Sequence, residues 1–326
     1  MDYSVAIINC NNRDFLPECI DSVLKQTIPP KEFLIVDNFS SDGSREYISN
    51  VKSAMKILMN DNNIGFAAAG NQVINETTGD YILILNADII LKHNYIEELD
   101  KFIQDSIGIL SGKLLNMTNK NLVDSTGQFL SKGLCPLERG YNEVDTGKFN
   151  TPQYVFSGCG AASLYNRKML HSVKINEEYF DESFFSYCED LDIGWRAQLF
   201  GWKAFYVPTA FAYHARGASS DLKTRKKPFL NKKLALKPLE LQSHIIINRY
   251  LVLIKNCSLT IFFQQFPYVF FREVETLLYV LFFVPTIIPN LIKKLSLSGK
   301  AFKARQFIFK RRDKLRPVST ISEYIL

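Results

Sequence analysis

Three acids fall within four positions at Glu189, Asp190 and Asp192, with Phe184, Phe185 and Tyr187 just before them and Gly194, Trp195 and Arg196 just after. Carboxylates crowded beside apolar rings do not all ionise at ordinary pKa values, because burial and neighbouring charge both penalise the anion. One of them becomes a candidate general base near neutral pH. The competing reading is a solvated helix start, where acids suit the helix dipole.

A base needs a scaffold that brings substrate to it. Apolar runs at residues 5–8, 33–36, 56–59 and 81–85 are each followed by a polar turn and then by helix-like periodicity at 15–26, 44–51, 66–75 and 95–104. Alternation on this length predicts an α/β fold with a doubly wound, mostly parallel sheet. In such sheets function sits at the carboxyl ends of the strands. Those ends carry Asn9, Cys10, Asn11 and Asn12; then Asp37, Asn38 and residues 39–44; then residues 60–63; and finally Asn86, Ala87 and Asp88. Any one of these is ordinary turn chemistry. Four in succession place amides and carboxylates along one edge. Residues 64–71 open a helix with side chains small enough for a ligand to approach, although they form neither G-x-G-x-x-G nor a Walker A loop. Asp88, closing a strongly apolar strand, is placed to bind a hard divalent cation that bridges two phosphates.

At 326 residues and 47% apolar composition the chain can bury one large core or two smaller ones. Its net charge of +6 conceals a split: residues 1–220 hold 19 Lys and Arg against 27 Asp and Glu, and residues 221–326 hold 20 against 6. The six cysteines (Cys10, Cys19, Cys135, Cys159, Cys188, Cys257) show no paired spacing, which argues against a zinc site or a disulfide framework and fits the reduced thiols of a cytosolic face. A strand pattern beginning at Ser4 without a basic flank argues against a secretory signal.

Taken in order, Asn9-Cys10-Asn11-Asn12, Val36-Asp37-Asn38 with Ser41-Asp42-Gly43-Ser44, Asn62-Asn63-Ile64-Gly65-Phe66, Leu85-Asn86-Ala87-Asp88, Phe180-Asp181-Glu182, Glu189-Asp190-Leu191-Asp192 and His214 resemble bacterial family 2 glycosyltransferases of the GT-A fold, in particular their rhamnosyltransferase-like branch. The likeness runs from residue 3 to residue 216 and lies in the order and spacing of the motifs. It implies inverting transfer of a sugar from a dTDP- or UDP-linked donor to a hydroxyl of a glycan or polyprenyl-diphosphate-linked acceptor. Under that resemblance Asp37 contacts the nucleotide base, Asn9 and Asn11 line the same pocket, and Asn38, Gly65 and Asn71 lie along the nucleotide-sugar site. Asn86 and Asp88 stand at the D-x-D element that binds a divalent cation, Mg or Mn, with one acid of the pair replaced by Asn86. His214 completes the metal shell or contacts the diphosphate. Asp190 matches the catalytic base, Glu189 positions the acceptor hydroxyl, and Asp192 supports them through a cation such as Arg196. Cys10 takes the place of a frequent aromatic, so stacking on the base is not expected there. The segment 157–162 reads either as a wall beside the sugar or as tight strand packing.

The expected organisation is a catalytic domain at 1–220, with a donor-binding half at 1–115 and an acceptor half at 116–220, followed by a basic and apolar extension at 221–326. Residues 222–239 hold seven Lys and Arg and no acid, a composition suited to a loop over an anionic donor or to a solvated loop. Apolar runs at 251–254, 259–263, 268–271 and 277–292 read as interfacial helices, because the last is short and contains Pro285 and Pro289. Ten Lys and Arg between Lys293 and Arg316, against Asp313 alone, favour an anionic inner leaflet of the cytoplasmic membrane. The alternative is a dimerisation surface. Rival functions are a noncatalytic nucleotide-sugar or membrane scaffold, which has no use for the acid cluster, and a nucleotidyltransferase, which needs a glycine-rich basic N-terminal loop absent at residues 9–13. A dehydrogenase lacks its fingerprint here. Nucleic acid is not expected, since the aromatics of the tail sit within apolar runs.

Overall fold

A strand sandwiched between parallel neighbours and covered on both faces is apolar without alternation, and β1 (Tyr3–Asn9) is buried at every residue. A computed structural model describes residues 1–51, 55–216, 232–235, 237–312 and 321–326 of the chain. In it β1 pairs in parallel with β2 (Glu32–Asp37) and with β4 (Tyr81–Asn86), and β2 pairs in parallel with β3 (Lys56–Met59). The crossovers are the expected helices α1 (Leu16–Leu24), α2 (Ser44–Asn50) and α3 (Gly65–Asn75).

Beyond β4 the sheet becomes mixed. The remaining strands are β5 (Ile89–Leu91), β6 (Ile107–Asn116), β7 (Val123–Ser125), β8 (Gln128–Leu130), β9 (Pro136–Glu138), β10 (Gln153–Val155), β11 (Ala162–Asn166) and β12 (Lys203–His214), with α4 (Tyr95–Asp100), α5 (Arg167–Val173) and α6 (Glu189–Leu199) between them. The order is β10, β12, β6, β11, β4, β1, β2, β3; β5 pairs with β12 and β7 with β6, while β8 and β9 form a separate hairpin. Strand β11 runs antiparallel to both β4 and β6, so the N-terminal parallel block meets the second half at β4. That junction is where Asn86 emerges.

The C-terminal region contains α7 (Lys232–Ala235), α8 (Leu239–Asn256), α9 (Leu259–Phe283), α10 (Ile288–Lys294) and α11 (Ser298–Arg312). The basic run at 222–239 lies outside the described residues apart from the α7 backbone and residues 237–239. The run at 251–254, expected at an interface, is instead inside: Leu251 and Val252 are 2% and 1% exposed and share a core with Phe184, Leu191 and Trp195. The runs at 259–263 and 268–271 belong to one helix that passes through Pro267. Proline forfeits a backbone donor there, and the helix is retained because Val269, Thr276, Tyr279 and Val280 stay buried on its inner side.

The outer side of α9 inverts the usual pattern. Leu259, Phe263, Phe266, Phe270, Val274, Leu277 and Leu281 recur at spacings of three and four, and all are exposed. Phe271, Leu278 and Phe282 form an adjacent exposed row. Among the described residues no single helix is long and apolar enough to cross a membrane; α9 and the stretch after it qualify only as a pair bent by 101°.

Candidate active site

At the ends of β1 and β2 the expected donor residues are tied to one another. The Asn9 side-chain amide donates to Asp37 Oδ2 at 2.9 Å and to Ser40 Oγ at 3.0 Å, and Asp37 Oδ1 accepts from the Ser40 amide and from Arg45. Asn11, at φ 55°, accepts from the Ser41 amide. Asn38 donates to Asn63 Oδ1 and the Gly65 carbonyl and accepts from the Ile64 amide. Three turns are thereby locked into one edge. Asn9 Oδ1 is buried without a partner among the described residues. Gly65 has φ +83°, and a Cβ there would lie 2.5 Å from the Phe185 carbonyl oxygen, so only glycine lets α3 start against the loop that precedes the acids. Asn71 sits elsewhere than expected: its amide donates to the Phe180 carbonyl and Glu182 and accepts from the Tyr179 and Phe180 amides, which uses its full hydrogen-bonding capacity as a brace on residues 179–182.

The pairing of β12 with β5 sets His214 opposite Ile89, one residue past Asp88. His214 Nε2 is 3.5 Å from Asp88 Oδ1, and Nδ1 is 2.8 Å from Asp124 Oδ2, which Arg216 also contacts. Burial would lower the His214 pKa, but the hydrogen bonds and charges of Asp124 and Asp88 outweigh it and hold it near 9. Among the described residues no three His, Cys, Asp or Glu side chains form a metal cage. The pair Asp88 and His214 would hold a divalent cation, which takes its other ligands from donor phosphates, once the cation displaces the Nε2 proton; Asp124 on the far ring nitrogen then keeps the histidine oriented.

Helix α6 begins at Glu189, and its two leading acids have opposite surroundings. Asp190 accepts at Oδ2 from Gln128 Nε2 (2.7 Å) and the Gly160 amide (2.9 Å), and at Oδ1 from the Leu191 amide (2.8 Å). Glu189 is 8% exposed, and its Oε2 has no partner among the described residues. Burial raises both pKa values; the three donors oppose this at Asp190, whereas the charge of Asp190 adds to it at Glu189, which reaches about 8. The three donors favour the charge on Asp190, and the buried, unpartnered Glu189 is the member disposed to keep a proton, the arrangement a base and a neutral hydrogen-bond donor require. Gly160 makes this contact close, as a Cβ would approach Asp190 Oδ2 to 3.0 Å and push it back; Gly158 in the same segment packs against Ser163, which is the tight strand packing expected of 157–162. Asp192 is bonded by Arg196 as expected.

Glu189 gives a pH-dependent signature. Between pH 4.5 and 8 it is protonated when folded and ionised when unfolded, so the folded state binds more protons and stability falls as pH rises across that window. Glu189→Gln removes the penalty, and thermal melts should show it gaining about 4 kcal/mol over wild type at pH 8.5 relative to pH 4.5. An equal difference at both pH values contradicts the assignment.

Asp124, Gln128, Glu138 and Arg216 carry no local sequence signal. Glu138 accepts from Ser125 and Gln128, so Gln128 Nε2 bridges two partly buried carboxylates; desolvation, and then the charge of Asp190, raises the Glu138 pKa. Each is a single polar residue in or beside a short strand, and only the fold brings it to the acids. Asn86, His214, Arg216, Glu189 and Asp190 all line one cleft of about 1300 Å³ that extends to Phe271 and Arg272 on α9.

This strand order, with acids facing a nucleotide-type edge across the sheet junction, is the GT-A fold. The chain belongs to glycosyl transferase family 2, whose family model matches residues 4–173. Glycosyltransferase GlyG of Streptococcus pneumoniae serotype 4 is 34% identical over 185 residues, 54% of this chain and 59% of its own length. Rhamnosyltransferase WbbL of Escherichia coli K12 is 32% identical over 139 residues, 41% of this chain and 52% of its own. The chain thus spans between half and three fifths of these relatives. Staphylococcus aureus TarS 1–349 in complex with UDP-GlcNAc superposes with a TM-score of 0.57 at 15% identity, covering 99% of this chain and 89% of that one. Mannosyltransferase PcManGT from Pyrobaculum calidifontis, in complex with GDP-Man and Mn2+, gives 0.52 at 12% identity, covering 96% and 86%.

Proposed function

We propose that the chain is an inverting glycosyltransferase that moves a sugar, rhamnose among the candidates, from a dTDP- or UDP-linked donor to a hydroxyl of a polyprenyl-diphosphate-linked glycan, in cell-surface polysaccharide synthesis at the inner face of the cytoplasmic membrane. The observation that carries this reading is the single cleft shared by Asp190, Glu189, Asn86 and His214, with Asp88 in contact with the last. Asp190, the charged member of its pair, takes the proton of the acceptor hydroxyl while the new bond to the anomeric carbon forms and the bond to the diphosphate breaks. Protonated Glu189 donates a hydrogen bond that orients the acceptor. Arg216 and Lys237 face the same cleft, where cations oppose charge developing on the leaving diphosphate. A divalent ion, Mg or Mn, held by Asp88 and His214 would supply further charge neutralisation of that diphosphate. The edge built from Asn9, Asn11, Asp37 and Asn38 serves the nucleotide.

The exposed apolar rows of α9 and the exposed Lys293, Lys303 and Lys310 beyond it support docking to an anionic leaflet. The same face also suits a second copy of the chain. Both parts of the reading are tested by incubating the protein with dTDP-, UDP- and GDP-sugars, Mn2+ and phosphatidylglycerol vesicles bearing a polyprenyl-diphosphate glycan. Wild type should float with the vesicles and release nucleotide only when the acceptor is present. The triple variant Phe263→Ser, Phe270→Ser, Phe282→Ser should sediment and turn over at least about tenfold more slowly, since each buried Phe contributes about 2 kcal/mol. No release with any donor contradicts the transferase reading. A triple variant that still floats contradicts the membrane face, and conversion of a dimer to a monomer would transfer that face to a second copy.

A further inference from the structure

The residues leading into Glu189 hold an unusual backbone. Phe185, Tyr187 and Cys188 have φ of 60°, 71° and 71°, and none is glycine. Such conformations cost about 1–3 kcal/mol each and persist only where surrounding contacts impose them. The start of α3 supplies one such contact, from the Ala67 amide to the Phe185 carbonyl, and α8, which lies outside the residues matched by the family model, supplies the others. Asn248, fully buried, turns its side-chain amide onto three carbonyls of the loop, those of Phe184 (2.8 Å), Ser186 (2.9 Å) and Tyr187 (2.8 Å). Seven residues on, hence on the same face of the helix, Lys255 is 1% exposed and donates to Asp181 Oδ2 (2.7 Å) and Asp192 Oδ2 (3.0 Å). Asn256 donates to Asp192 Oδ1 at 2.8 Å.

Asp181 stands just ahead of the loop and Asp192 in the first turn of α6, so α8 grips the segment before, within and after its strained residues, with Glu189 and Asp190 between the grips. A buried lysine placed between two carboxylates costs desolvation that these hydrogen bonds offset, and its removal would leave, among the described residues, Asp192 with the charge of Arg196 alone and Asp181 with that of the more exposed Lys300 alone. We propose that Asn248 and Lys255 are positioning residues for transfer: they hold residues 184–188 and the first turn of α6 in the one arrangement that presents Glu189 and Asp190 to the cleft. Part of the region read from sequence as a membrane appendage is thereby integral to the catalytic half. Removing residues beyond 220 would dismantle the acids along with α9, so the membrane face has to be tested by surface substitution.

The test uses Cys188, 6% exposed in the strained loop, as a reporter and Cys19, fully buried in α1, as a reference for global opening. Wild type, Asn248→Ala, Lys255→Met and Lys255→Arg are alkylated with iodoacetamide under native conditions and each cysteine is followed by mass spectrometry, alongside nucleotide release with and without acceptor. Asn248→Ala and Lys255→Met should raise Cys188 labelling at least about tenfold relative to Cys19, because opening is local. They should lower kcat at least about a hundredfold with donor KM nearly unchanged, the signature of a misplaced catalytic group. Lys255→Arg, which keeps both ion pairs, should recover most of both. Labelling of Cys188 and Cys19 rising in step, a wild-type kcat in Asn248→Ala, or Lys255→Arg as impaired as Lys255→Met would each overturn the proposal. Labelling needs no substrate, so a protein without transferase activity would sink the proposed function while the grip of α8 on the loop is still decided by the cysteines.

Discussion

Asp190→Asn is expected to lower the rate of sugar transfer about a thousandfold while leaving donor affinity within a factor of two, as loss of a positioned general base does. The substitution preserves size, and the Asn oxygen in the place of Oδ2 keeps the Gln128 and Gly160 donors, while its NH2 group gives up the bond from the Leu191 amide, so the cleft is retained and basicity is lost. Glu189 does not take over the role. Burial still opposes its ionisation, and it lacks the donors that stabilise a carboxylate at the neighbouring position. Single-turnover transfer measured beside equilibrium donor binding checks this; near-normal transfer would remove Asp190 as base.

Asp88→Ala is expected to act on the other end of the donor. With Mn2+ present, nucleotide-sugar binding should weaken about tenfold to a hundredfold, since a hard-cation site that already has Asn86 in place of one acid loses its remaining carboxylate there. In chelator, wild type and variant should bind alike. His214 keeps its contact with Asp124, so the ring stays oriented and the loss is specific to the cation. Equal donor affinity of the two proteins in Mn2+ would show that Asp88 does not serve a metal.

The donor half could be read from sequence because its strands are buried on both faces and are therefore unbroken apolar runs, each ending in polar turns. The turns were legible for the same reason: Asn9, Asp37 and Asn38 close consecutive strands, and parallel pairing sets Asn9 beside Asp37. The acids Glu189 and Asp190 stood out by crowding alone. Their partners did not. Gln128 reaches Asp190 across 62 positions and Asp124 reaches His214 across 90, and no local pattern encodes such pairings. Asn71 misled for a related reason, as a small-residue helix start marks close approach without saying what approaches, and in this fold it is the protein's own segment 179–182. The C-terminal helices were misjudged by composition, which assigned 251–254 to an interface although Lys255 and Asn248 fix that helix against the acids. The apolar stretch that does face outward begins at Leu259.

The decisive measurement pairs calorimetric titration of a nucleotide-sugar donor in Mn2+ with turnover to acceptor, on wild type, Asp190→Asn and Asp88→Ala. A single cleft joining base and diphosphate site gives full binding without turnover in Asp190→Asn, and weakened, cation-insensitive binding in Asp88→Ala. Transfer by Asp190→Asn at the wild-type rate, or loss of donor binding in that variant equal to the loss in Asp88→Ala, would contradict it.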